Sequence, residues 1–256
     1  MIKTDNRSRL IQYLKELHLP SIRESFEEIA HQAEQESLSY DQYLLELMAR
    51  ECEDRRHRRI ERFLRESYLP LEKRIDTFDL KRLPVKVKNQ VSLLLEGFFL
   101  DKNENILAFR NPGTGKTHLL CGISQALIRE GRRIYFTKCS LLVQKLLTAK
   151  RDLKLAQFIK KLNKFEAVLI DDIGYVQQSR EEMEVLFTFL AERYGQNGEI
   201  GMNKKTGGGQ SLNPYNIPSV GYRFPVFAMP RGSLALSCDT LVIFHQREGI
   251  VVDILV

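Results

Sequence analysis

Lys116 stands between Gly115 and Thr117 in the run Asn111-Pro-Gly-Thr-Gly-Lys-Thr117, and these residue types at this spacing can cradle phosphate. Glycines let backbone N–H groups turn toward an anion with no Cβ in the way. A lysine at the head of the next helix reaches phosphate oxygens, and the hydroxyl after it suits a magnesium ion. Asn111, Pro112, Gly113, Thr114, Gly115, Lys116, Thr117 and His118 are therefore the candidate residues for binding a nucleotide such as ATP. The template for such loops opens on a glycine where this chain has Arg110, and a left-handed backbone there would cost about 1–2 kcal/mol. Further on, Val168-Leu-Ile-Asp171-Asp172 reads as a buried strand that ends in two acids. Asp171 with Thr117 is the candidate pair for Mg²⁺. Lys116 and Asp172 are the candidate catalytic groups, the first on the phosphates and the second on the attacking water.

Such groups need a sheet to present them. Ile106-Leu-Ala-Phe109, Arg133-Ile-Tyr-Phe-Thr137 and Ala167-Val-Leu-Ile170 read as strands. Helical patterns over 118–129, 141–149, 153–162 and 181–194 alternate with them. The alternation predicts an α/β fold of P-loop NTPase type: a parallel sheet with helices on both faces. A small all-α region should precede it. Leu10, Tyr13, Leu14 and Leu17 recur at helical spacing up to Pro20, and Ile22, Phe26, Ile29 and Ala33 make a second stripe. Ser39 should cap a third helix with Tyr43, Leu44, Leu47 and Met48 on its buried face. The expected organisation is a helical N-terminal domain (1–74), a connector (75–102), an ATPase core (103–194) and a divergent tail (195–256).

The chain of 256 residues carries a net charge of +6, which favours polyanionic partners without identifying one. Arg55, Arg56, Arg58, Arg59 and Arg62 concentrate positive charge on one predicted helix and are the candidate DNA contacts. Glu51, Glu53, Asp54, Glu61 and Glu66 are interleaved with them, which equally fits a solvated helix laced by i,i+4 pairs. Cys52, Cys121, Cys139 and Cys238 lack metal-ligand spacing and read as reduced thiols. The first residues carry no signal-peptide pattern, and no run reaches the length of a membrane span, so a cytoplasmic protein is expected.

With both phosphate-site motifs in place, the chain resembles the IstB-like ATPases, helper proteins of insertion sequences similar to the DnaC helicase loaders of the AAA+ class. The resemblance covers about residues 7 to 194. It rests on Leu17-His-Leu-Pro20, Asn105-Ile-Leu, the loop through His118, Leu146-Leu-Thr-Ala-Lys-Arg-Asp152, Leu169-Ile-Asp-Asp-Ile-Gly-Tyr-Val-Gln-Gln178, Val185-Leu-Phe and Ala191-Glu-Arg-Tyr194. It implies an ATP-dependent homo-oligomer that binds duplex DNA with little sequence preference and regulates a partner transposase. A DnaC-like loader, or a non-hydrolysing DNA-binding remnant of a mobile element, are the alternative readings.

After Tyr194 the family's pattern stops. Nine of the chain's 15 glycines and four of its eight prolines fall in 195–256. That composition marks a candidate for disorder, and its sudden onset reads as a frameshifted or replaced C-terminus. Neither a Thr-Ser-Asn sensor strand nor an Asp-Arg pair follows, and Arg223, Arg231 and Arg247 lack the context of an arginine finger. A sheet without that core strand should expose an unpaired edge, and hydrolysis should be impaired.

Overall fold

The structure is a computed structural model that describes residues 2–102, 105–109, 113–173, 179–195, 238–244 and 252–253. Three helices lead: α1 (Ile2–Glu16), α2 (Pro20–Glu36) and α3 (Tyr40–Ser67). Ser39 caps α3 as expected. Its hydroxyl accepts from Gln42 N at 3.3 Å, while the Gln42 side chain accepts from Ser39 N at 2.9 Å. The helix then runs unbroken through the arginine cluster to Ser67.

Helix α2 begins on Pro20 and has no side-chain cap of its own. Glu51 of α3 supplies one from outside. Its Oε2 accepts from Ser21 N at 2.9 Å and Ile22 N at 3.2 Å, and its Oε1 accepts from Arg55 Nε at 2.8 Å. The carboxylate is 2% exposed. A buried anion is tolerable here because it faces the positive end of a helix and a guanidinium.

Leu14, Ile22, Ile29 and Leu47 form the core of these three helices, with Leu19, Phe26 and Tyr43 packed around it. The wider stripes expected from the sequence are only partly buried: Leu10 and Tyr13 on α1, Leu17 just past its end, and Leu44 and Met48 on α3 are exposed. The reason is geometric. Among the described residues α1 and α3 pack mainly on α2, so each buries a narrow seam rather than a full apolar face.

Beyond α3 come α4 (Val85–Leu95), the short α5 (Phe98–Asp101), β1 (Ile106–Phe109), α6 (Lys116–Arg129), β2 (Ile134–Lys138), α7 (Cys139–Arg151), α8 (Leu155–Leu162), β3 (Ala167–Asp171) and α9 (Arg180–Gly195). Two further strands, β4 (Cys238–Phe244) and β5 (Val252–Asp253), complete a sheet of order β2-β3-β4-β1-β5. The α/β class is as expected, and the pairs β2–β3 and β1–β5 are parallel. Alternate residues face two cores. Ile134, Ala167 and Leu169 lie on the side of α4 and α6, whereas Tyr135, Val168 and Ile170 lie on that of α7 and α9.

Strand β4 overturns the expectation of a missing core strand. It pairs with β3 from Ala167↔Phe244 to Asp171↔Thr240, and with β1 from Ile106↔Val242 to Phe109↔Cys238. It runs antiparallel to both neighbours. The run Thr240–Phe244, noted in the sequence only as apolar, fills the slot between β1 and β3 because an apolar β-branched segment gains two ladders there. The rest of 195–256 lies outside the described residues.

Arg193 of α9 is fully buried and donates to the carbonyls of Leu162 at 3.0 Å and Phe165 at 3.2 Å. It thereby satisfies the end of α8 and the turn that launches β3. Burial pushes its guanidinium down to about 10, so it stays charged at neutral pH.

The Glu51 arrangement makes a pH prediction. Burial alone would raise this carboxyl, but the Arg55 hydrogen bond and the N–H groups of Ile22 and Ser21 outweigh it and hold the group below its ordinary value. The stability it contributes is therefore present above the unfolded value of about 4.3 and is lost as pH falls through the lower folded value. Glu51→Gln should cost about 1–3 kcal/mol at neutral pH. In urea melts run from neutral pH downward, the gap between the two proteins should close in acid; a constant gap would refute the charged cap.

Candidate nucleotide site

Strand β1 points its C-terminal end at the loop. Arg110, Asn111 and Pro112 lie outside the described residues, so the cost assigned to Arg110 is not a structural finding. Gly113 and Gly115 have φ of 80° and 91°, the left-handed region where a side chain is strained. Gly115 is the N-cap of α6, and Lys116, 7% exposed, is its first residue. The helix thus opens on glycine backbone and a lysine, which leaves its positive end facing the loop.

Thr117 Oγ1 donates to Asp171 Oδ1 at 2.9 Å. This bond joins the first turn of α6 to the last residue of β3, a carboxylate that is 5% exposed. The two groups picked from the sequence for a magnesium ion are therefore in direct contact. Both are hard oxygen donors of the type Mg²⁺ takes. Among the described residues no three His, Cys, Asp or Glu side chains converge as a metal-holding group, so such an ion would rely on this pair, phosphate oxygens and water. Asp172, the next residue, has φ of 60°, and its Oδ2 lies 3.6 Å from Lys138 Nζ. The strand ladder ends one residue earlier, and the turn swings this carboxylate toward β2.

A feature the sequence reading missed lies on the other side of α6. Gly115, His118, Gly122 and Gln125 share one helical face, and all four receive residues 70–78. A Cβ on Gly115 would meet Phe78 Cε2 at 2.8 Å, and one on Gly122 would meet the Ile75 backbone nitrogen at 2.7 Å. His118 Nε2 lies 2.9 Å from Arg74 O and 3.1 Å from Thr77 Oγ1, and its ring packs edge-on to Phe78. Gln125 Nε2 donates to Pro70 O at 2.9 Å and Lys73 O at 3.2 Å. Residues 70–78 form a strap that holds the phosphate-loop helix. The signal was present as a glycine in mid-helix flanked at helical spacing by two hydrogen-bonding side chains.

Two cysteines sit close by. Burial pushes the Cys121 thiol up to about 12, and burial together with Asp172 and Glu182 pushes Cys139 up to about 11. Both are free, as is exposed Cys52, and the two buried ones are poor nucleophiles at neutral pH.

The five candidate DNA-contact arginines of α3 divide. Arg55 donates to Glu51 and to His18 O at 2.5 Å, and Arg58 donates to Ser21 Oγ at 3.1 Å with Glu51 3.7 Å away. Arg56 faces Glu130, the residue after α6, at 3.8 Å. Arg59 and Arg62 are exposed.

A glycine loop between β1 and α6, with an acid-tipped parallel strand beside it, defines the class of P-loop α/β proteins. Residues 12–207 match the family described as IstB-like ATP binding protein, and the chain belongs to that family. Its relatives include an insertion sequence ATP-binding protein of Sinorhizobium fredii, 40% identical over 192 residues. Those of IS5376 in Geobacillus stearothermophilus and IS21 in Pseudomonas aeruginosa are 33% and 28% identical. The matches cover 75%, 73% and 71% of this chain and 64%, 75% and 68% of the three relatives. No helix among the described residues is long and apolar enough to cross a membrane.

The strap makes a prediction. Gly122→Ala places a methyl against the backbone of Ile75, so the strap must shift. The variant should lose about 1–3 kcal/mol of stability and show a lower Tm by calorimetry, whereas an unchanged Tm would mean that the strap yields freely.

Proposed function

We propose that this chain is an ATP-binding helper of DNA transposition, in which Mg-ATP occupies the loop at the head of α6 and duplex DNA lies on basic surface of α3. The observation that carries the nucleotide half is the contact between Thr117 and Asp171, 54 residues apart in sequence. Bound there, Mg²⁺ would neutralise charge on the β- and γ-phosphates. The chain's own groups do the rest. Backbone N–H groups at Gly113 to Gly115 and the start of α6 bind phosphate oxygens, the Lys116 ammonium adds charge, and Thr117 and Asp171 hold the metal side. His118 acts through the strap rather than on phosphate.

Asp172 is the group for orienting water, but it shares its carboxylate with Lys138. With no Asp-Arg pair after Tyr194 to reach a neighbouring subunit, the reading is a protein that binds ATP and turns it over slowly. A homo-oligomer on DNA and a partner transposase complete the proposal, and both rest on the family alone.

For DNA, Arg59 and Arg62 are the first candidates, because Arg55 and Arg58 already serve Glu51 and the start of α2. Arg56 stands nearer α6.

Two measurements test this. Lys116→Ala should abolish Mg-ATP binding by calorimetry while the fold persists by circular dichroism; retained binding overturns the nucleotide site. The double variant Arg59→Ala, Arg62→Ala should weaken duplex binding and lower the slope of log K against log salt by about 2. An unchanged slope removes those two residues from the DNA surface.

A further inference from the structure

Helix α8 and the turns at its two ends carry core on one side and cations on the other. Ile159 and Leu162 are buried, and Leu155 and Phe158 pack against the same cluster as α7 and α9. Away from that core stand Lys154, Gln157, Lys160, Lys161 and Lys164, all exposed. Lys154, Gln157, Lys161 and Lys164 recur at the three-four spacing of one helical row. The row is about 15 Å long, the rise of roughly four base pairs of a duplex.

From Leu153 to Phe165 the sequence holds no acid. Among the described residues none of these four lysines pairs with a carboxylate, whereas Lys150 at the end of α7 is held by Glu184 at 2.9 Å. The face therefore differs from the arginine run of α3, where acids are interleaved and Arg55 and Arg58 are committed to Glu51. Like charges on one fixed helix repel, and a polyanion is the partner that relieves them.

The two basic surfaces meet. The Arg133 guanidinium lies over the Phe63 ring of α3 and over the Phe165 ring, 5.3 and 5.1 Å from their centroids. Arg62 lies over the same Phe63 ring at 5.6 Å, and Lys164 is the residue before Phe165. The end of α8 and the Arg62 turn of α3 are thus neighbours. Arg133 is itself paired with Glu66, so it joins the two surfaces without adding a free charge.

We infer that the lysine face of α8 contacts the phosphate backbone of duplex DNA and extends the track that begins at Arg59 and Arg62. The inference rests on the proposed reading that this chain binds duplex DNA. Lysines meet phosphate as point charges, with no fork to read a base edge, so this contact is independent of sequence. A lipid surface is a poorer match. Amphipathic helices enter a bilayer through their apolar face, and that of α8 is spent on the core, with Leu153 the exposed apolar side chain at its start.

The test is the salt dependence of duplex binding by the full chain, measured by fluorescence anisotropy on two duplexes of unrelated sequence. The triple variant Lys154→Gln, Lys161→Gln, Lys164→Gln should lower the slope of log K against log salt by about 2 to 3, equally on both duplexes. Arginine at the same three positions keeps the charge and should keep the slope. Lys81→Gln, Lys86→Gln, Lys102→Gln makes the same change of net charge at exposed positions elsewhere. If the α8 variant shifts the slope no more than this control does, at equal Tm, the inference is overturned. Should the triple variant fail to fold, Lys154→Gln with Lys161→Gln gives the same reading with a shift of about 2. Binding to phosphatidylserine vesicles that the α8 variant loses, with its duplex slope unchanged, would assign the face to a lipid surface and likewise overturn the inference. If Arg59→Ala, Arg62→Ala lowers the slope and the α8 variant does not, the DNA reading stands and this inference alone falls. If the unaltered chain binds no duplex, both fall together.

Discussion

Helix α6 is gripped from two directions, and the geometry of the phosphate loop follows from that grip. Toward the sheet, Thr117 is tied to Asp171 at the tip of β3. Away from it, Gly115, His118, Gly122 and Gln125 receive the strap of residues 70–78. A helix that opens on glycines has little conformational restraint of its own at that end. Fixing both sides sets where its first N–H groups and Lys116 stand. Catalytic and binding loops work when their supports are rigid and the donors are placed before the ligand arrives.

The same economy extends outward. β3 must end where Asp171 can meet Thr117, and Arg193 anchors the turn before it by capping carbonyls at Leu162 and Phe165. α3 packs against β2, the edge strand, where Arg133 reaches Glu66 at 2.7 Å and its guanidinium lies over the Phe63 and Phe165 rings. Farther out, Glu51 joins α2 to α3 through the same kind of contact, a side chain satisfying the orphan end of a neighbouring helix.

What the sequence made legible is the part governed by local rules. The loop glycines, the acid-tipped strand, the Ser39 cap and the order of strands and helices through residue 195 all follow from spacing and periodicity. The roles of Glu51, Arg193 and Gln125 did not, because each is defined by a partner 28 or more residues away, and a charged residue destined for burial looks like a solvated one until that partner is known. The arginine run of α3 shows the same limit: Arg55 and Arg58 look identical to Arg59 and Arg62 in the sequence yet have different work. The place of β4 was missed for a related reason. A short apolar run among glycines and prolines carries no sign of direction, and the slot that gives Thr240–Phe244 its ladders is made by strands far earlier in the chain.

That central strand has a consequence for biosynthesis. The middle of the sheet comes from residues that leave the ribosome well after β1 and β3, so those two strands are made with a gap between them. Until residues 238–244 emerge, each offers an unsatisfied ladder of N–H and C=O groups on a flat apolar surface. Chains paused in that state are open to pairing with one another, and closing the gap requires contacts between segments far apart in the chain, a slow step by topology alone. Yield in the cell should therefore be governed by chaperone access and growth temperature more than by the stability of the finished fold.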